Sequence, residues 1–165
     1  MIKITIKQGN IISENVDAIV NPTNSYGIMN SGVSKTIKNT AGLIVEAELV
    51  KKSPIKIGEA IDTDPGLLNF KKIIHTPTME HPLSASNAEN IKKAVKAALI
   101  HADKLKFQKI AMPGMGTGAG GFEPIDAAEI IINEIKNHET QFLNEIILVD
   151  ISEIIVNALN DVLNE

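Results

Sequence analysis

The chain has 165 residues and a formal net charge of −4. That balance argues against a broad nucleic-acid footprint, which needs a concentrated basic surface; one Tyr, four Phe and no Trp also leave few platforms for stacking bases. Cysteine is absent, which removes disulfides, thiolate catalysis and cysteine-based zinc sites, and suits a cytoplasmic protein. With 44% hydrophobic and 22% charged residues, a single globular domain over 1–165 is expected. No apolar run approaches membrane-spanning length, so no membrane partner is expected.

Ile2, Ile4 and Ile6 alternate with Lys3, Thr5 and Lys7, which predicts a strand with one buried face and no signal-peptide core. Ala18-Ile19-Val20 predicts a second strand, apolar on both faces. It is expected to end at Asn21-Pro22-Thr23-Asn24, because proline cannot donate to a ladder. A loop then leads to helices from about Val33 to Ala41 and from Leu43 to Val50, punctuated by Gly42. Gly58–Thr63 and Lys71–His75 read as two strands, paired as a hairpin or simply neighbours. Thr76–Ala85 holds two prolines and is expected to be irregular. A helix over about Asn87–Leu105 carries Ile91, Val95, Ala98, Leu99 and Ala102 on one face. A strand at 110–112, a helix from Pro124 to about Asn137, a strand at Glu145–Val149 and a last helix capped by Ser152 complete the chain. Six strands and about five helices, largely alternating, predict an α/β domain whose mostly parallel sheet is covered on both faces.

Between the strand at 110–112 and the helix at Pro124, residues 114–121 hold five glycines in eight positions. Glycine permits φ > 0 and removes Cβ, so backbone N–H groups can converge on an oxyanion, and the N-terminus of the following helix favours negative charge. The pattern predicts a phosphate or diphosphate cradle; a ligand-free connection of small residues is the alternative. Gly116–Gly121 formally satisfies G-x-G-x-x-G, with Asp150 available for a ribose. Only one strand and one helix remain for the rest of a dinucleotide-binding sheet, however. A Walker A loop needs Gly-Lys-Ser/Thr at its end, and Gly121 is followed by Phe122 and Glu123. Open α/β sheets bind ligands at the C-terminal ends of their strands. The loops Asn21–Gly32 and Gly114–Phe122 both follow such ends and can form two walls of one cleft.

A set of motifs in fixed order resembles the macro domain family across nearly the whole chain. It comprises Gly9-Asn10-Ile11, Val16-Asp-Ala-Ile-Val-Asn21 with Asn24, Asn30-Ser-Gly-Val33, Ala41-Gly42, Gly58-Glu-Ala-Ile-Asp-Thr63, Ile73-Ile-His75 and Met112–Gly121. The resemblance implies a three-layer α/β/α sandwich with a mixed, mostly parallel six-stranded sheet and a cleft for ADP-ribose. It implies that Asn10 accepts from the adenine amino group where relatives carry Asp, with Ile11 beside the base. Asn21 and Asn24 fall at ligand-binding positions, Asn24 near the distal ribose and in the one catalytic role. Asn30, Ser31, Gly32 and Val33 would line one side of the diphosphate. Gly114, Gly116, Thr117, Gly118, Ala119, Gly120, Gly121 and Phe122 would form the other.

Departures from the family limit the enzyme reading. Ser34 stands where some hydrolytic members carry Asp, Ser31 where another branch carries Lys, and Gly120 where relatives carry Asp or an aromatic residue. Asp150 and Ile151 replace a base-stacking aromatic. What remains is a mechanism using substrate phosphate and a positioned water, with Asn24 orienting the distal ribose. Two functions stay open: a hydrolase of ADP-ribose 1″-phosphate, O-acetyl-ADP-ribose or protein-linked ADP-ribose, and a non-catalytic reader of ADP-ribose or ADP-ribosylated protein. A nucleic-acid or poly(A) binder is the weaker third. A small stand-alone domain more often acts on a metabolite, which favours the enzyme, while the missing carboxylate and lysine oppose it. His75 is a candidate general base, with a packed strand-end histidine as the plainer reading. His81 borders the cleft, His101 is structural or exposed, Asp62 and Asp64 cap a turn, and Tyr26 lies near the distal ribose or is simply exposed. No His/Asp/Glu cluster has metal-ligand spacing, so neither metal nor cofactor is expected.

Overall fold

The computed structural model describes residues 1–118 and 120–165; the ligand-binding expectation for Ala119 lies outside them. Strands β1 (Lys3–Gln8), β2 (Ala18–Asn24), β3 (Ile61–Thr63), β4 (Lys72–Met79), β5 (Lys109–Met112) and β6 (Glu145–Asp150) form one sheet in the order β1-β6-β5-β2-β4-β3. All neighbours are parallel except β3, which runs antiparallel to β4. Helices α1 (Gly32–Ala41) and α2 (Leu43–Lys51) cover one face, and α3 (Ala88–Lys104), α4 (Pro124–Asn137) and α5 (Glu153–Leu163) cover the other.

Strand sequence decides which face each side chain serves. Ala18, Val20, Ile74, Ile110, Met112, Ile146 and Leu148 pack beneath α3, α4 and α5. Ile19, Ile73, Ala111, Ile147 and Val149 pack beneath α1 and α2. Alternate residues of one strand therefore enter different cores, which is why the central strands are apolar throughout. The result is a three-layer α/β/α sandwich with a mixed, mostly parallel sheet.

Two strands outrun their sequence reading, and for one reason. β2 continues through Pro22 to Asn24, and β4 continues through Thr76-Pro77-Thr78 to Met79. β2 pairs with β4 along this whole length, but β5 pairs only with Ala18 and Ile19, and β3 only with Ile73–His75. Each proline thus lies where its strand has lost one neighbour, so a missing N–H costs no ladder bond there. The extension carries β2 and β4 beyond the sheet's centre and sets the depth of the cleft above it.

Candidate functional site

The C-terminal ends of the five parallel strands open into one cavity of about 670 Å³. In sheet order the strand ends contribute Gly9 and Asn10 after β1, Val149 and Asp150 from β6, Pro113 and Gly114 after β5, Pro22–Asn24 from β2, and Thr78 and Met79 from β4. Strands lie ~4.8 Å apart, so four spacings give a trough of roughly 19 Å. That suits an extended, dinucleotide-sized ligand.

The first wall is the loop after β2 and the start of α1, where Ile28, Asn30, Ser31, Gly32, Val33, Ser34 and Thr36 line the cavity. The first amides of a helix have no intrahelical partner. Here Ser31 makes no side-chain cap bond, and Gly32 takes a left-handed φ of +56° with open space beside it. Those amides therefore stand available to an anion at the positive end of α1. The loop is held from behind by side chains. The Asn24 amide oxygen accepts from the N–H groups of Tyr26 (3.1 Å) and Ile28 (3.3 Å), and its nitrogen donates to the Ile28 carbonyl (2.9 Å). Glu46 of α2 accepts from the Met29 N–H (2.6 Å), and Lys38 of α1 donates to the Asn30 amide oxygen (2.8 Å).

A buried polar chain anchors this wall to the sheet. The Ser34 hydroxyl donates to the Asn21 amide oxygen (2.7 Å), and the Asn21 nitrogen donates to Nδ1 of His75 (3.0 Å). Nε2–H of His75 is then directed to the Thr63 hydroxyl (2.8 Å). All four residues are buried, and burial pushes the His75 pKa down to about 3. His75 is therefore a neutral packed residue, the plainer of its two readings, and no general base.

The second wall is the glycine loop. Gly114, Gly116, Thr117, Gly118 and Gly120 line the cavity. The loop is closed by Gly121 N–H to the Gly118 carbonyl (3.0 Å) and Phe122 N–H to the Gly116 carbonyl (2.9 Å). Gly120 has no room for a side chain: a Cβ there would stand 2.7 Å from the Gly116 carbonyl oxygen. Asp150 pins the loop's base, its carboxylate accepting from Gly114 N–H (3.0 Å) and Ser152 N–H (2.9 Å). Among the described residues, Gly116, Thr117 and Gly118 donate to no protein acceptor. The cradle is thus completed by the N-terminus of α1 across the cleft. The start of α4, which the sequence reading placed behind the bound anion, does not line the cavity.

Asn10, Ile11, Asn24, Asn30, Ser31, Gly32, Val33, Gly114, Gly116, Thr117, Gly118 and Gly120 meet in this one cavity. Three expected site residues do not. Asn21 is fully buried with its amide committed to Ser34 and His75. Gly121 does not line the cavity, and Phe122 packs against the core under α3–α5. Tyr26 and His81 stand beside the mouth, stacked at 5.4 Å between ring centroids. His101 bonds Asp62 (2.7 Å), so the Asp62 carboxylate ties β3 to α3 and does not cap a turn. Sequence reading missed Thr23, Thr78, Pro82, Leu83 and Ile155, which line the cavity but carry no motif. The Thr23 hydroxyl is buried and, among the described residues, has no partner. Asn10 already uses its amide oxygen to accept from Ile12 N–H (3.2 Å) and cap a short 3₁₀ turn at Ile11–Ser13. Among the described residues no group of three or more His, Cys, Asp or Glu is placed to hold a metal ion, and no helix is long and apolar enough to cross a membrane.

Comparison with known proteins agrees with this fold. The macro domain model matches residues 20–131. A protein of Aquifex aeolicus is 46% identical over 160 residues, 97% of each chain. One of Aeropyrum pernix is 36% identical over 76% of this chain and 66% of its own. The chain spans only 41% of a Mycobacterium tuberculosis relative to which it is 31% identical. Among solved structures, an Oceanobacillus iheyensis macrodomain with MES bound superposes with a TM-score of 0.86 at 23% identity, over 96% of this chain and 89% of that one. A Trypanosoma brucei macrodomain in complex with ADP-ribose gives 0.85 at 21% identity, over 97% and 68%. The structural likenesses establish the fold; the matched family model and the Aquifex relative establish membership. The chain belongs to the macro domain family.

Proposed function

We propose that the cleft binds ADP-ribose or an ADP-ribose derivative. One observation carries this reading: two sets of backbone amides that have no protein acceptor among the described residues, at the α1 N-terminus and the glycine loop, line one trough about 19 Å long. A ligand with a diphosphate centre and a group on each side matches that arrangement. Adenine would lie at the β1/β6 end, beside Asn10, Ile11 and Ile155, and the distal ribose at the β2/β4 end, beside Asn24. Solved macrodomains whose names record bound ADP or ADP-ribose support the choice. A chain without cysteine suits the cytoplasm, where we place this activity.

Binding is better supported than hydrolysis. Among the residues lining the cavity only Asp150 has an ionisable side chain, and its carboxylate already holds Gly114 and Ser152. The hydrolase reading rests on Asn24, which lines the cavity and keeps one amide proton beyond its bond to Ile28. Calorimetry with ADP-ribose, ADP and AMP tests the cleft. Turnover of the 1″-phosphate, the acetyl ester and an ADP-ribosylated peptide, followed by chromatography, tests chemistry. Micromolar ADP-ribose binding without turnover is the expected result. Turnover abolished by Asn24→Ala would establish the hydrolase instead, and no ADP-ribose binding at millimolar concentration would overturn both.

A further inference from the structure

We propose that Leu83 determines specificity in this cleft. Its side chain packs against the terminal sugar of a sugar-extended nucleoside diphosphate and separates that ligand from the nucleoside diphosphate alone. The inference rests on reading the cleft as an ADP-ribose site.

Leu83 lines the cavity, yet it is 71% exposed and holds φ at +63°. A bulky L-residue in the left-handed region is an outlier, and an exposed leucine gains nothing from burial. The φ belongs to a turn in which Ser84 N–H donates to the His81 carbonyl (3.2 Å), with Pro82 and Leu83 as the central residues. The third position of such a turn ordinarily takes glycine or asparagine, so a leucine kept there at the cavity lining, at a cost in strain, marks a side chain with a use beyond the turn.

The segment that carries Leu83 joins both walls. Ser25 N–H donates to the carbonyls of Met79 (3.1 Å) and Glu80 (3.0 Å), and Tyr26 stacks on His81. On the other side Ser86 N–H donates to the Gly120 carbonyl (3.0 Å). Leu83 is therefore held in place at the β4 end of the trough, beyond the two sets of amides. Gly120, which faces this segment, offers no side chain, and a Cβ there would also stand 3.0 Å from the Ser86 Cβ. Apolar surface at this end comes from Pro82 and Leu83. The cavity residues around them, Asn24, Thr78 and Met79, are uncharged. A neutral group with a C–H face is matched here and a third phosphate is not, which points to a pentose in place of a longer phosphate chain.

The test is Leu83→Gly, with Leu83→Met as the conservative variant, measured by calorimetry with ADP-ribose and ADP and by thermal melting. Glycine adopts φ +63° without strain, so the backbone keeps its course. ADP-ribose affinity should fall about tenfold in Leu83→Gly, the usual worth of a lost apolar contact. ADP affinity should stay within about twofold, the melting temperature should not track the loss, and Leu83→Met should recover ADP-ribose binding. An equal loss for both ligands, or no loss for either, overturns the proposal while wild-type ADP-ribose binding leaves the cleft reading standing. Wild-type protein that binds neither ligand overturns the cleft reading and this inference with it.

Discussion

At the α1 wall, backbone amides are held in place by side chains. Asn24 ties Tyr26 and Ile28, Glu46 ties Met29, Lys38 ties Asn30, and Ser34 reaches through Asn21 to His75. At the glycine wall the backbone mostly holds itself, through Gly121 to Gly118 and Phe122 to Gly116, with Asp150 at its base. Both walls present N–H groups to the same space. They differ in what breaks them: the first is vulnerable to lost polar partners and to protonation, the second to added atoms. A helix start needs only its exit from the sheet fixed, because its amides are already aligned. A glycine loop has no such template and must exclude side chains to keep its path.

The largest effect is expected at the second wall. Gly120→Ala places a methyl group 2.7 Å from the Gly116 carbonyl oxygen, which is backbone and cannot swing aside. ADP-ribose affinity should fall about 100-fold, about 2.8 kcal/mol, with about 1–3 kcal/mol of lost stability from overpacking. Calorimetry and denaturant titration read the two quantities separately. Unchanged affinity would mean that this wall does not meet the ligand.

The first wall should respond to pH. His75 has a folded-state pKa of about 3, below its ordinary value of 6.5, because burial disfavours the imidazolium. Between these values the unfolded chain binds more protons than the folded one, so stability rises with pH. The contribution is complete above about pH 6.5 and is lost as pH falls toward 3, at no more than about 1.4 kcal/mol per pH unit. Asp17 and Asp103, each held below the ordinary 3.8 chiefly by backbone N–H donors, and Asp62, held there by His101, add further loss below about pH 4. Urea titrations from pH 8 to 4 should show the slope in wild type and a flatter profile in His75→Gln. A slope that persists in the variant would assign it elsewhere.

Asn24→Ala should act at an intermediate level. It removes the acceptor for Tyr26 and Ile28 N–H, costing about 1 kcal/mol of stability and roughly tenfold in ADP-ribose affinity. If both affinity and any turnover are unchanged, Asn24 has neither the positioning nor the catalytic role. The smallest effect is expected for Lys38→Ala. Its contacts with Asn30 (2.8 Å) and Glu46 (3.5 Å) lie near the surface, so melting should report no more than about 0.5 kcal/mol. A tenfold loss of affinity there would show that a cation, and not the amides alone, steadies the anion.

Much of the fold was legible in apolar spacing. The helix at Pro124–Asn137 and the cap at Ser152 fall where their residues predict. The two strand ends were not, because a proline is tolerated or not according to whether a neighbouring strand is present. Within the site, the glycines and Asn24 were legible because few other residues serve there. Leu83, Thr23 and Ile155 were not, since nothing in the types of these residues marks a ligand surface.

By itself the sequence determined the element types and the two small-residue loops, one of them a glycine run, all of which depend on local periodicity and backbone freedom. Only the tertiary structure decided which helix N-terminus opens into the cavity. It also decided that Asn21 and His75 spend their polar atoms inside the protein, and that Leu83, at a left-handed φ, lines the cavity. Those outcomes depend on which strands lie side by side. Residues far apart in the chain, such as Ser34 and His75 or Ser86 and Gly120, become hydrogen-bonded neighbours, or near ones, only once the sheet order β1-β6-β5-β2-β4-β3 has formed.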